Sequence, residues 1–222
     1  MSEVKTERDD RGPMITNGPG SSVFADPRVW VVPLILMAVM ALLELGGDPV
    51  RDALRFDRLA VQSGELWRLL SDNFVHLSWR HLFLNELGVL VFVLLCPEPI
   101  EWTVWLRRLV LLGLGMSAGL YFAAPKLTHY VGLSGVMHGL FVLGLGRQVL
   151  QKDLIALGCL AYLIGKLGWE LFAGAPVSDE AAIGGRVALE SHLWGAISAV
   201  VYGAIFGSFK RLETFSLRRK NQ

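Results

Sequence analysis

Charge is scarce in this chain. Only 18% of its 222 residues are Asp, Glu, Lys or Arg, and they leave a net charge of +1. Nucleic-acid binding therefore has no electrostatic support. Cysteine is nearly absent. Cys96 and Cys159 both fall in apolar runs, where free thiols serve as small hydrophobes, and a disulfide framework is not expected. His76, His81, His138 and His192 come without an H-E-x-x-H pattern or a His-x3-His pair backed by a carboxylate. Neither a metal nor another cofactor is expected. No internal repeat or charged ring suggests a transporter or channel. A cleavable signal peptide is not expected, because the first apolar run starts late and lacks a small-residue cleavage site.

What is abundant is apolar surface: 53% of residues are hydrophobic and the mean hydropathy is +0.46. That is too apolar for an ordinary soluble domain of this length. Residues 1–28 are polar, rich in Gly, Ser and Asp, and read as a mostly disordered tail. Six apolar segments follow, at about Val29–Leu45, Trp79–Cys96, Leu106–Ala124, Ser134–Leu150, Asp153–Ala173 and Ala188–Phe209. Each is roughly long enough for the ~30 Å hydrocarbon core of a bilayer. Residues 29–209 are thus expected to form an all-α membrane domain of six transmembrane helices, and residues 210–222 a basic tail. The loop from Gly46 to Ser78 is amphipathic and is expected to fold on the membrane surface.

Orientation follows from Lys and Arg. With the N-terminus in the cytoplasm, 13 basic residues fall inside and 8 outside. Both termini are therefore expected inside, and the start of the fourth helix opens outward. From Ser134 to Arg147 that helix is only about 20 Å long. It cannot cross the whole core, which argues for a wet cavity above Ser134.

The segment Gly132-Leu133-Ser134-Gly135-Val136-Met137-His138-Gly139 carries the chemistry. Ser134 would lie in the first turn of the fourth helix, where unpaired N–H groups and the helix dipole favour a developing oxyanion. Alone, G-x-S-G also reads as a capping serine among packing glycines. His192 opens the sixth helix. Histidine at membrane depth is costly and usually has a role. A small-residue ladder, Gly195, Ala199, Gly203 and Gly207, follows it, and the fourth helix answers with Gly135 and Gly139. If these faces pack together, Ser134 and His192 meet. His81 and Asn85 share one face of the second helix and could supply oxyanion donors, or simply hold a helix pair together. His76 reads as a hydrogen bonder that orders the preceding loop.

Taken in order, these pieces resemble the rhomboid family of intramembrane serine proteases. The resemblance rests on Gly64-Glu65-Leu66-Trp67-Arg68, on His76-x4-His81-x3-Asn85, on Gly132-Leu133-Ser134-Gly135 and on His192-Leu193-Trp194-Gly195. It implies a six-helix rhomboid-like bundle and a Ser134–His192 dyad with no acidic third member. It implies an oxyanion hole from the Ser134 backbone N–H, His81 and Asn85. Gly132, Gly135 and Gly195 would support the dyad. Substrates would enter sideways past the fifth helix, near Trp169 and Phe172, and the loop Gly174–Val187.

Four residues after Ser134, many rhomboids carry an aromatic residue, usually Tyr; this chain has His138. That segment looks like the rhombosortase branch. The likeness implies substrates anchored in the lipid bilayer by a C-terminal Gly-Gly motif, an apolar helix and a basic tail. It implies a multi-pass protein of the bacterial inner membrane with its site facing the periplasm. His138 would tune His192 or itself be the base. The acyl-enzyme would go to water or to an amine. Cleavage of other single-spanning proteins, and a catalytically inactive client binder, are the competing readings.

Overall fold

The computed structural model describes residues 23–176 and 180–207. Of the tail expected over residues 1–28, residues 23–28 are described and carry 3-10 turns, while residues 1–22, the basic tail over 210–222 and the last two residues of the sixth apolar segment lie outside the described residues. So do residues 177–179 of the loop expected to gate entry.

The chain enters through two short 3-10 turns, Val23–Ala25 and Pro27–Val29, the second capped by Asp26. Helix α1 (Val31–Leu45) follows and ends at Gly46. The first loop then forms α2 (Gly47–Leu54), β1 (Phe56–Asp57), α3 (Arg58–Gln62), α4 (Arg68–Ser71) and a 3-10 turn, Asp72–Phe74. Asp57 caps α3 by accepting the Leu59 and Ala60 N–H groups. Helix α5 (Trp79–Leu95) is capped by Ser78 and stops before Pro97. It lies at 89° to the Arg68–Phe74 segment. Then come α6 (Trp102–Ala123), β2 (His129–Tyr130), α7 (Ser134–Leu150) and α8 (Leu154–Ala173), the last capped by Asp153. A short α9 (Glu180–Ile183) and α10 (Leu189–Phe206) complete the described chain.

All six apolar segments are helical, and the fold is an all-α membrane bundle. Among the described residues, four spans are long and apolar enough to cross a membrane unaided: Pro27–Leu45, Trp102–Ala123, Leu154–Ala173 and Leu189–Phe206. The bent pair Arg68–Phe74 with Trp79–Leu95 makes a fifth. Helix α7, with 17 residues, falls short, as its sequence suggested. It sits centrally, packed on α5, α6, α8 and α10. Gly135, Val136, Met137, Gly139, Leu140, Leu143, Gly144 and Leu145 are all buried, as expected for a helix apolar on every side. The outer faces of α1, α8 and α10 expose large apolar residues, among them Leu34, Leu154, Tyr162 and Ile205. On a chain with these spans, that surface meets lipid.

The first loop does more than lie on a surface. Leu59, Leu66 and Trp67 are exposed, but Phe56 is fully buried against Met116, Leu120 and Tyr130. Strand β1 pairs antiparallel with β2, Phe56 opposite Tyr130 and Asp57 opposite His129. This two-residue ladder is the departure from a purely helical expectation. Arg58 reinforces it. Its guanidinium donates to the carbonyls of Tyr121, Leu120, Ala124 and Leu127 at 2.7 to 2.9 Å, capping the end of α6 with a planar fork. Arg68 of the Trp-Arg motif binds Glu65 and the carbonyls of Asp52 and Arg55. The motif therefore closes the loop upon itself.

Candidate active site

Ser134 is the first residue of α7, and the approach to it is fixed from both sides. Gly132 has φ +118°, a left-handed conformation that a side chain strains. Its N–H donates to the Asp72 carbonyl at 2.9 Å, and its carbonyl accepts the Tyr130 hydroxyl at 2.7 Å. Burial pushes the Tyr130 hydroxyl up to about 12, so it remains a donor. Asp72 is itself buried, accepting Ser117 Oγ and Asn73 Nδ2. The loop, α6 and the turn before Ser134 thus share one hydrogen-bond network.

Helix α10 brings His192 to this turn. The small faces pack as the ladders suggested. A Cβ on Gly195 would lie 1.8 Å from the Gly135 carbonyl oxygen, and one on Gly139 would lie 2.8 Å from that of Gly195. The backbones are in contact, with no room for a side chain. His192 Nε2 lies 3.1 Å from Ser134 Oγ, and the imidazole is buried.

His81 and Asn85 arrive from α5. The Leu77 N–H donates to His81 Nδ1 at 3.3 Å, which leaves the proton on Nε2. That nitrogen points at the Ser134 turn: a Cβ on Gly132 would meet it at 2.9 Å and Asn85 Nδ2 at 3.9 Å. Asn85 donates one N–H to the His81 carbonyl. A cavity of about 540 Å³ opens above these groups. Its wall includes Ser134, His81, Arg51, Lys126, His129 and Arg186. The site is therefore roomy and partly polar.

On the other side of His192 lies a cluster from α7 and α8. The His138 ring stacks on His192, centroids 4.1 Å apart and planes 17° apart. His138 Nδ1 lies 2.7 Å from the Ser134 carbonyl oxygen, and its Nε2 lies 3.0 Å from Lys166 Nζ. Lys166 also donates to Glu170 Oε1 at 2.6 Å. Glu170 Oε2 lies 2.8 Å from His192 Nδ1. His138, Glu170 and His192 bring ligand-type atoms within 4.8 Å of one another. The Lys166 ammonium stands among them, 3.5 Å from His192 Nδ1, where a cation would otherwise sit.

Residues 63–209 match the family model of the rhomboid domain. The chain belongs to the rhomboid family. It is 30% identical over 107 residues to "Putative rhomboid protease YdcA" of Bacillus subtilis (strain 168), an alignment covering 47% of this chain and 53% of that protein. It thus spans about half the length of that curated relative.

Within this rhomboid domain the geometry departs from expectation at His192 and at His76. The resemblance implies no acidic partner for His192, yet Glu170 occupies that position, 3% exposed. The sequence held a signal for it: Lys166 and Glu170 lie four apart in an otherwise apolar helix, and intramembrane charges face a bundle interior. Trp169 and Phe172, expected at the entrance, are 59% and 94% exposed. Neither lines the cavity. Ile183 of α9 forms part of its wall, held by Ser78 Oγ donating to its carbonyl. His76 is not a loop hydrogen bonder. It is buried edge-on against the His81 ring at 5.1 Å, and both ring nitrogens lack a partner among the described residues. Its ring packs against that of His81.

Proposed function

We propose that this rhomboid domain is an intramembrane serine endopeptidase with Ser134 as nucleophile and His192 as general base. The 3.1 Å contact between Ser134 Oγ and His192 Nε2, with Ser134 in the wall of an open cavity lined by polar side chains, carries the reading. Ser134 Oγ bonds to the scissile carbonyl carbon while its proton passes to His192 Nε2. The oxyanion meets the Ser134 backbone N–H, His81 Nε2–H and the second Asn85 N–H. The carbon–nitrogen bond then breaks, and His192 returns the proton to the leaving amine. Water, activated by His192, releases the acyl group as a carboxylate. An amine taking its place would give a new peptide bond instead. His138 is poor as a base here, because the Ser134 carbonyl and Lys166 occupy its two nitrogens.

The substrate class is a protein anchored by Gly-Gly, an apolar helix and a basic tail, as in the rhombosortase branch. His138 in the place of the usual aromatic residue, stacked on His192, supports that branch. The setting is a bacterial inner membrane, with both termini in the cytoplasm and the cavity facing the periplasm.

The test is cleavage in proteoliposomes of a reporter ending in Gly-Gly, an apolar helix and Arg residues. Cleavage is expected for the parent and none for Ser134→Ala or His192→Ala. A reporter cut equally well with its Gly-Gly replaced points to a general rhomboid protease. No cleavage and no fluorophosphonate labelling of Ser134 point to a client-binding protein. Mass spectrometry of the released C-terminus separates a free carboxylate from a transfer product.

A further inference from the structure

We infer that Glu170 is the third member of the catalytic group, a positioning residue that orients His192, with Lys166 as its counter-ion. The inference rests on the proteolytic reading above. For His192 Nε2 to take the Ser134 proton, its lone pair must face Oγ, so the imidazole proton must sit on Nδ1. A proton on buried Nδ1 needs an acceptor. Glu170 Oε2 is that acceptor at 2.8 Å. The reversed tautomer would set an unprotonated Nδ1 against a carboxylate and an N–H against the serine hydroxyl.

The neighbouring contacts fit this assignment. Ser134 Oγ–H donates to His192 Nε2, and His192 Nδ1–H donates to Glu170 Oε2. Lys166 donates to Glu170 Oε1 and to His138 Nε2. His138 then carries its proton on Nδ1, which donates to the Ser134 carbonyl. The chain of hydrogen bonds starts and ends on Ser134, and both imidazole N–H groups meet an acceptor. Stacking on His138 fixes the plane of the His192 ring. The charges agree as well. Lys166 and Glu170 balance one another at rest. When His192 becomes imidazolium, Glu170 bridges it and the Lys166 ammonium 3.5 Å away, one carboxylate oxygen on each. Without the carboxylate, two cations would face each other in a buried site, where little water screens them.

The test is the rate of fluorophosphonate labelling of Ser134 in proteoliposomes, together with kcat and KM for the Gly-Gly reporter. Glu170→Gln keeps the shape of the side chain but presents an N–H to Nδ1. It is expected to slow labelling and kcat by about 1,000- to 10,000-fold, as amidation of the third carboxylate does in serine proteases. KM should move little, because only the transition state is affected. Glu170→Asp should recover part of the rate, since the charge remains. If Glu170→Gln fails to fold, the Lys166→Met/Glu170→Met pair, which removes both buried charges, takes its place with the same loss expected. Labelling at the parental rate in folded Glu170→Gln, or in the folded double Met variant, overturns the inference. Labelling or cleavage that survives in Ser134→Ala overturns the proteolytic reading instead.

Discussion

Replacing Gly195 by alanine should part the two residues on which the proposed chemistry depends. The added Cβ would lie 1.8 Å from the Gly135 carbonyl oxygen, 2.6 Å from its carbon and 3.2 Å from its Cα. All three are backbone atoms, so no rotamer change relieves the contact. Real Cβ atoms essentially never come closer than 3.0 Å, so α7 and α10 must separate here by about 1.2 Å, because close-packed interiors have no slack. Gly195 lies three residues from His192, and Gly135 follows Ser134 directly. Most of the displacement therefore reaches the Oγ–Nε2 contact, 3.1 Å in the parent. Lengthened by about 1 Å, it is no longer a hydrogen bond. A misplacement of ~1 Å costs on the order of 100-fold in rate. The overpacking itself costs about 1–3 kcal/mol, short of what unfolds a domain. Gly195→Ala should thus remain folded, by thermal melting in detergent, while labelling and cleavage fall together. Gly165→Ala is the control, because a Cβ there meets nothing within 4 Å. A Gly195→Ala protein with parental rates would refute the reasoning, and so would an equal loss in Gly165→Ala.

Asn85→Ala should lower kcat by about 10- to 1,000-fold with KM little changed, the usual loss for one oxyanion donor; steady-state kinetics on the reporter reads it. Arg58→Ala should destabilise the bundle by about 2–3 kcal/mol, since four carbonyls at and just beyond the end of α6 lose a charged partner. Arg58→Lys should not restore it in a melt, because an ammonium cannot reproduce the fork. Asp57 provides a pH test. Its carboxyl is held below the usual range, first by the Ala60 N–H and further by His129. A carboxyl depressed in the folded state stabilises the fold above its unfolded value, and that stability is lost as pH falls through the folded value. Asp57→Ala should therefore melt below the parent near neutrality and converge with it in acid.

The helices were legible because each carries its own signal. Helix α7 spans Ser134–Leu150, as its apolar run indicated. The Gly135/Gly139 and Gly195/Ala199 ladders placed α7 against α10, since a period of four small residues is local to each helix and demands a close partner. Helix α6 starts at Trp102, ahead of the expected Leu106. Arg107, six residues into the helix, donates to the Tyr202 hydroxyl at 2.9 Å and lies over the Phe206 ring. The β1–β2 pair left no trace, because two residues per strand carry no alternation. The Glu170–His192 contact depends on how α8 crosses α10, which no single helix encodes. Only the Lys166-x3-Glu170 spacing hinted that α8 had an inward task.

The two sides of α8 now stand in opposition. Its outer side presents Trp169 and Phe172 to lipid, while its inner side holds the carboxylate that steadies His192. A tilt of this helix wide enough to admit a transmembrane segment would draw Glu170 off the imidazole. Admission and bond cleavage would then exclude one another. The site would be disarmed while its door stands open and would rearm only when α8 closes behind the client, an interlock that spares proteins merely passing by in the bilayer.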